Sequence, residues 1–487
     1  MKSPPPRIQR LAALCVLAQG TLAALLISTR SYASDDGNPN KLTQTYSTRK
    51  AVPFIEYCNQ ANDGTASDAI KITIDNLLGQ AREIDCQKAA NILRNTNTIY
   101  IRARNQITDL SPLTGFTNIV YLTIRGKITD LFPLEGLINL KVLDLQRNQI
   151  TDISPLSGLT NLKKLDLVGN PITDFTPLKG LTNLEYISLR GKNTDISPLA
   201  GLTNLKELDV HASQITDITP LEGLTNLRKL NLNDNSITDL TPLERLTNLE
   251  YLHIRGSSGS ELHGNITDLA PLEGLINLKD LDLWKNKITD ISPLAGLSNL
   301  TILNLSYNLI TDVAPLEGLI LLRELNLTIN RITDLSPLRG LTSLERLSLS
   351  MNQITDVAPL AALTKLVSLG LHSNQITDLP RLEALTALIS LGLSSNQIID
   401  LAPLEGLTNI AYLHLEKNQI TDLAPLEGLT SLKSLNLGYN NITDLAPLKT
   451  LTNLTSLGLK GNQIIERRKE ELVEALPNTD IRYSSKR

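Results

Sequence analysis

The stretch Asn139-Leu140-Lys141-Val142-Leu143-Asp144-Leu145-Gln146-Arg147-Asn148-Gln149-Ile150-Thr151-Asp152, continued by Ile153-Ser154-Pro155-Leu156-Ser157-Gly158-Leu159-Thr160, decides how the chain folds. Its closing Asp recurs at 109, 130, 152, 174, 195, 217, 239, 268, 290, 312, 334, 356, 378, 400, 422 and 444, sixteen copies nearly all 22 residues apart. A period in this range marks supersecondary units that bury their apolar faces only by stacking. Leu140, Leu143 and Leu145 alternate with polar residues at the end of the segment, as a strand with one buried face requires. One such strand per unit, returning each time in the same direction, predicts a parallel sheet; at about 4.8 Å per strand, some seventeen strands span roughly 80 Å. The composition agrees: aromatics are 3% of the chain and Trp occurs once, so the interior must be aliphatic.

The other positions have equally definite physical roles. Asn148 stands where the chain leaves the sheet, and its amide can donate to and accept from the backbone of neighbouring coils as a buried polar ladder. Pro follows the recurrent Asp by three residues in fifteen of the sixteen copies. Asp ahead of a Pro-Leu pair reads as the cap of a short helical turn, with Pro at a position that needs no donor. Leu156 and Leu159 turn that segment's apolar side back to the sheet. At Asp378 the Pro comes one residue early, in Leu379-Pro380-Arg381, and a distorted turn is expected there.

This unit resembles the 22-residue leucine-rich repeat of the internalin type, found in exported bacterial proteins. The resemblance implies an α/β solenoid, a right-handed curved stack with a parallel β-sheet on its concave side, short helices or turns on its convex side, and a helical N-terminal cap. It also implies ligand binding through the concave strand residues. The sequence shows no immunoglobulin-like extension and no wall anchor, which turns the expectation away from a surface-adhesin role.

Processing comes before folding. Lys2, Arg7 and Arg10 precede an apolar run from Leu11 to Ile27, and Ser31-Tyr32-Ala33 offers a small-x-small cleavage site. Residues 1–33 therefore read as a signal peptide, with retention as an anchor the alternative. Its removal takes away four positive charges and moves the net charge from −4 to −8. An acidic, mixed-sign surface argues against nucleic acid or an anionic membrane as the main partner. Residues 34–49 read as a flexible linker, 50–95 as a helical N-terminal cap, 96–465 as the solenoid and 466–487 as a C-terminal cap. In the N-terminal cap, Ile70 to Leu78 and Cys86 to Leu93 carry apolar residues at helical spacing. Cys58 and Cys86, the cysteines left after processing, read as a disulfide in an exported protein. At the far end Glu466 to Leu476 reads as an amphipathic helix stopped by Pro477, and Ile481 and Tyr483 as a last strand. A longer period is superposed: Tyr121, Tyr186 and Tyr251 open matching segments 65 residues apart, as duplication of a three-repeat block would produce. In the third copy Ser257 to Gly264 form an insertion.

A search for catalysis finds no phosphate-cradling loop, no His-Glu-x-x-His and no nucleophile elbow. No cofactor, metal or catalytic residue is expected, and the Asp row is explained by its capping role. Binding is the better lead. The residues around the second and third Leu of each strand segment face outward, and in the middle of the chain they are Tyr186, Arg190, Glu207, Asp209, His211, Tyr251, His253, Arg255, Asp280, Asp282 and Trp284. Aromatics and Arg are the residues in which binding energy concentrates. Toward the C-terminus the same positions become Ser368, Gly370, Ser390, Gly392, Ser394, Ser434, Gly438, Ser456 and Gly458. The expected function is non-enzymatic recognition of a protein or glycan ligand, in the periplasm, envelope or medium, with the oligomeric state open. One rival is a structural or adhesive envelope spacer. Another is a regulatory subunit of an intracellular phosphatase, against which the signal segment argues.

Overall fold

The computed structural model describes residues 54–102, 106–191, 195–256 and 264–483. The expected signal peptide, the linker, the start of the N-terminal cap and residues 257–263 of the insertion lie outside the described residues. The described residues divide into two compact units, one formed by those up to Asn148 with Ser154–Asp166, the other by Gln149–Ile153 with those from Leu167 onward.

The first unit opens with three helices. α1 (Phe54–Asp63), α2 (Asp68–Ala81) and α3 (Cys86–Arg94) precede β1 (Thr98–Arg102). Ser67 caps α2 by accepting from the Ile70 N–H, and Asp85 caps α3 by accepting from the Lys88 N–H at 2.8 Å. Ile74, Leu77, Ala81, Ala89, Ala90 and Leu93 are buried between the helices and the first coil. A disulfide between Cys58 and Cys86 joins α1 to the start of α3. β1 is followed by β2 (Tyr121–Arg125), β3 (Val142–Asp144) and β4 (Lys164–Asp166), each paired in parallel with the one before. The Gln80 amide on α2 donates to the Thr98 carbonyl at 2.6 Å and accepts from the Tyr100 N–H at 2.8 Å. That side chain occupies hydrogen-bonding groups on the outer edge of β1 that would otherwise invite another strand.

The second unit continues with β5 (Tyr186–Ser188), β6 (Glu207–Asp209), β7 (Lys229–Asn231), β8 (Tyr251–His253), β9 (Asp280–Asp282) and β10 (Ile302–Asn304), and so on to β17 (Ser456–Gly458) and β18 (Asp480–Arg482). From β5 onward each strand pairs in parallel with its successor, in register: Leu208, Leu230, Leu252 and Leu281 are aligned across β6 to β9. The register follows from the period. A shift by one residue would carry the whole aliphatic set to the wrong face. The strand leucines that face the interior, such as Leu278, Leu281 and Leu283, are fully buried. α4 (Glu466–Ala475) ends the chain of coils before β18, and Arg468 donates to the Thr443 carbonyl at 2.6 Å.

The Asn column forms the ladder its chemistry suggests. Asn308 donates to the carbonyls of Leu283 (3.1 Å) in the preceding coil and Leu305 (3.0 Å) in its own, and accepts from the Ile288 N–H at 3.1 Å. Asn330, Asn352, Asn374, Asn396, Asn418 and Asn440 repeat the pattern and are all buried. One residue before this Asn the backbone is left-handed even where the side chain is bulky: φ is +58° at Tyr307, +55° at Ile329 and +58° at Met351.

The helical turns are 3-10 turns, and the Asp sits one place further out than a capping residue would. In the turn Thr219–Leu221 the cap position is Ile218, and Asp217 reaches past it to accept from the Thr219 N–H at 2.8 Å. The carboxylate thus closes an Asx turn that leads into the 3-10 segment. At Asp378 no such turn forms: the early Pro removes the pattern, the carboxylate takes the Thr377 hydroxyl at 2.8 Å instead, and Leu379 is 8% exposed where Val357 and Leu401 are 1%.

Candidate functional site

Alternation along β5 to β9 buries the central Leu or Ile and sends its two neighbours to the strand face. On this face the strands form a pocket of about 240 Å³ lined by Tyr186, Glu207, Leu208, Asp209, Lys229, Leu230, Asn231, Tyr251 and His253. Five of the eleven residues singled out from sequence meet there: Tyr186, Glu207, Asp209, Tyr251 and His253. Lys229 and Asn231 of β7 were missed, because a scan weighted toward aromatics, Arg and acids passes over them. Register alone could have found them, since Lys229 lies 22 residues after Glu207 and 22 before Tyr251.

The groups of the pocket are coupled across strands. Lys229 Nζ lies 2.9 Å from Glu207 Oε1 and 5.6 Å from the centroid of the Tyr251 ring. His211 Nδ1 is 2.8 Å from Asp209 Oδ1, and this hydrogen bond raises the His211 pKa above 6.5 against the opposing effects of burial and of the Arg190 charge. His253 Nε2 stands 3.1 Å from Asp280 Oδ1 but is buried without an aligned hydrogen bond, so their contact is one of proximity rather than a directed bond.

The remaining residues lie beside the pocket. Arg190 is exposed. Asp282 is 5% exposed and lies beneath Arg255, whose Nε donates to Oδ2 at 2.6 Å, so its carboxylate is turned to holding Arg255. Trp284 is half-buried rather than standing free: its ring packs edge-on against Tyr307 with centroids 5.6 Å apart, and Lys285 Nζ lies 5.7 Å from its own. Further along, the face flattens. Gly370 and Gly392 are paired in register, and a Cβ on Gly392 would lie 3.9 Å from the Gly370 Cα. Exposed His372 and His414 have pKa values lowered by desolvation. Among the described residues no group of His, Cys, Asp or Glu is placed to hold a metal ion, and no helix is long and apolar enough to cross a membrane.

Stacked parallel coils, an Asn ladder and a side-chain-bearing strand face define a repeat protein of the leucine-rich class. The family model described as Leucine Rich repeats (2 copies) matches residues 138–180, 160–201, 225–274, 298–340, 342–384, 386–428 and 430–472, more than half of the chain. An internalin (inlF) from Listeria monocytogenes is 40% identical over 62% of this chain and 88% of its own, with a TM-score of 0.59. The chain belongs to the internalin-type leucine-rich-repeat family. A leucine-rich-repeat protein from Leptospira interrogans is 29% identical, covering 73% of this chain and 92% of that one, with a TM-score of 0.66. A plant peptide hormone receptor in complex with RGF2 shares the fold at 19% identity and a TM-score of 0.61, covering 76% of this chain and 65% of that one. No curated protein matches the sequence. Proteins of this family are binding modules, and its internalins act at or beyond the cell surface.

Proposed function

We propose that this chain is a non-enzymatic recognition module exported from the cytoplasm, and that it binds a protein partner on the strand face centred on β5 to β9. The observation that carries the reading is the pocket in which Tyr186 and Tyr251 flank Glu207, Asp209, Lys229 and His253. Aromatic side chains beside charged groups, presented on rigid strands, are what concentrates binding energy at interfaces. The cross-linked Cys58–Cys86 pair supports export, since such bonds persist in oxidising compartments. The acidic net charge supports a protein ligand over nucleic acid.

The test compares wild-type protein with Tyr251→Ala and Trp284→Ala as bait for material from the envelope and medium, quantified by mass spectrometry. Loss of the same partners from both variants, with unchanged thermal unfolding, is the expected result. Unchanged capture by both would favour the spacer reading instead.

A further inference from the structure

We infer that the pocket on β5 to β8 receives a guanidinium side chain of the partner, with Glu207 and Asp209 as its acceptors. The inference rests on the strand-face reading above and specifies its chemistry. Glu207 and Asp209 flank Leu208 on β6, so their carboxylates project side by side into the same space. Each is held by one oxygen only. Lys229 Nζ engages Glu207 Oε1 at 2.9 Å, and His211 Nδ1 engages Asp209 Oδ1 at 2.8 Å, where the His211 N–H also donates at 3.2 Å. Glu207 Oε2 and Asp209 Oδ2 make no hydrogen bond among the described residues and remain available to an incoming donor.

Charge and shape narrow the donor. Among the carboxylates and amines of the lining, Glu207 and Asp209 face Lys229 alone, an excess of one negative charge that one cation neutralises. Arg190 and His211 lie outside the lining, and Asp282 is already taken up by Arg255. The Tyr251 ring has a cation over it, the chain's own Lys229 at 5.6 Å, which shows that its face accepts positive charge. Tyr186 stands three strands away, about 14 Å at the usual strand spacing. A planar fork of N–H donors can meet two carboxylate oxygens at once while lying against an aromatic face; a compact ammonium offers neither the plane nor the fork.

The test titrates the purified protein with two probes, acetyl-Gly-Gly-Arg-Gly-Gly-amide and the same peptide with citrulline, which keeps the shape and removes the charge. NMR shifts of residues on β5 to β8 report binding. Saturable shifts with the arginine peptide, at least about tenfold weaker with citrulline, are expected. Glu207→Gln with Asp209→Asn should weaken the arginine peptide by a similar factor, whereas Lys229→Met, which removes the resident cation, should tighten it. Equal binding of the two peptides, no shift with either, or weaker binding in Lys229→Met overturns the inference. Partner capture separates the two layers. Capture lost in Tyr251→Ala but kept in the Glu207→Gln/Asp209→Asn variant leaves the strand-face function standing and removes the guanidinium. Capture unchanged in both removes the function as well.

Discussion

Asn352→Ala should weaken the stack at one interface by an amount the hydrogen bonds allow to be worked out. Asn352 donates to the carbonyls of Leu327 and Leu349, both at 3.0 Å, and accepts from the Ile332 N–H at 3.0 Å. The two carbonyls keep a partner when Asn352 is lost, because Leu327 also accepts from Asn330 and Leu349 from Asn374. Only the Ile332 N–H is stranded, at a cost of about 1–3 kcal/mol, with about 0.5–1.5 kcal/mol for each of the two bonds lost. The sum is about 2–6 kcal/mol at a buried site. In a quasi-one-dimensional stack this loss stays local. Amide exchange at Ile332 should therefore rise by about thirtyfold or more, at tenfold per 1.4 kcal/mol. Ile442, whose N–H is held by Asn462, should exchange as before. A cost below about 1 kcal/mol, or equal acceleration at Ile332 and Ile442, would refute the ladder as the link between coils.

Other consequences are open to direct measurement. Replacing Cys58 and Cys86 by Ala opens a 28-residue separation, so the chain-entropy model gives a loss of about 3–4 kcal/mol; it should appear as earlier melting of α1 to α3, with exchange at Ile442 unchanged. His211 should titrate above 6.5 by NMR, with His372 and His414 below it, and Asp209→Asn should abolish the His211 shift. Because the His211 value is raised, its contribution to stability is complete below pH 6.5 and disappears as the pH climbs through the folded value. Asp217, Asp239, Asp290 and Asp334 behave in the opposite sense: Ser or Thr hydroxyls and backbone N–H groups depress them below 3.8, so their contribution holds above that pH and is lost on further acidification. Gly264→Ala should lower the melting temperature sharply, since a Cβ there would meet Asn286 Oδ1 at 2.0 Å, while Gly201→Ala, with nothing within 4 Å, should be neutral or slightly stabilising.

The architecture was legible because its signal is repeated sixteen times, and a repeat leaves one answer for where each Leu, Asn and Pro goes. Features that occur once were harder to see. α1 has only Phe54 and Cys58 buried, too few positions for its helical period to stand out. The left-handed column before the Asn is filled mostly by Arg, Lys, Tyr, Ile, Met and Ser, none of which announces that backbone; Asp234, with φ of +57°, and Gly169 and Gly461, with φ of +77° and +78°, were the available hints. For the binding face, sequence register shows which residues point outward but not which of them are occupied with one another. Asp282 and Arg255 looked like two binding groups and form one ion pair. Trp284 looked stranded in solvent and is shielded by Tyr307, which belongs to the next coil.

The glycines bracketing the insertion have an evolutionary consequence. The Gly256 N–H donates to the Trp284 carbonyl at 2.8 Å and the Gly264 N–H to the Lys285 carbonyl at 2.7 Å, so both ends of the inserted segment are tied to consecutive residues of the following coil. An added Cβ on Gly264 would lie 2.9 Å from the Gly256 Cα, a closeness that bare glycines permit. The segment between them is in effect a port: its length and sequence can be exchanged while β9 and every later strand keep their places, because closing a longer loop costs little. New specificity could be grafted beside Trp284 without rebuilding the scaffold that presents it.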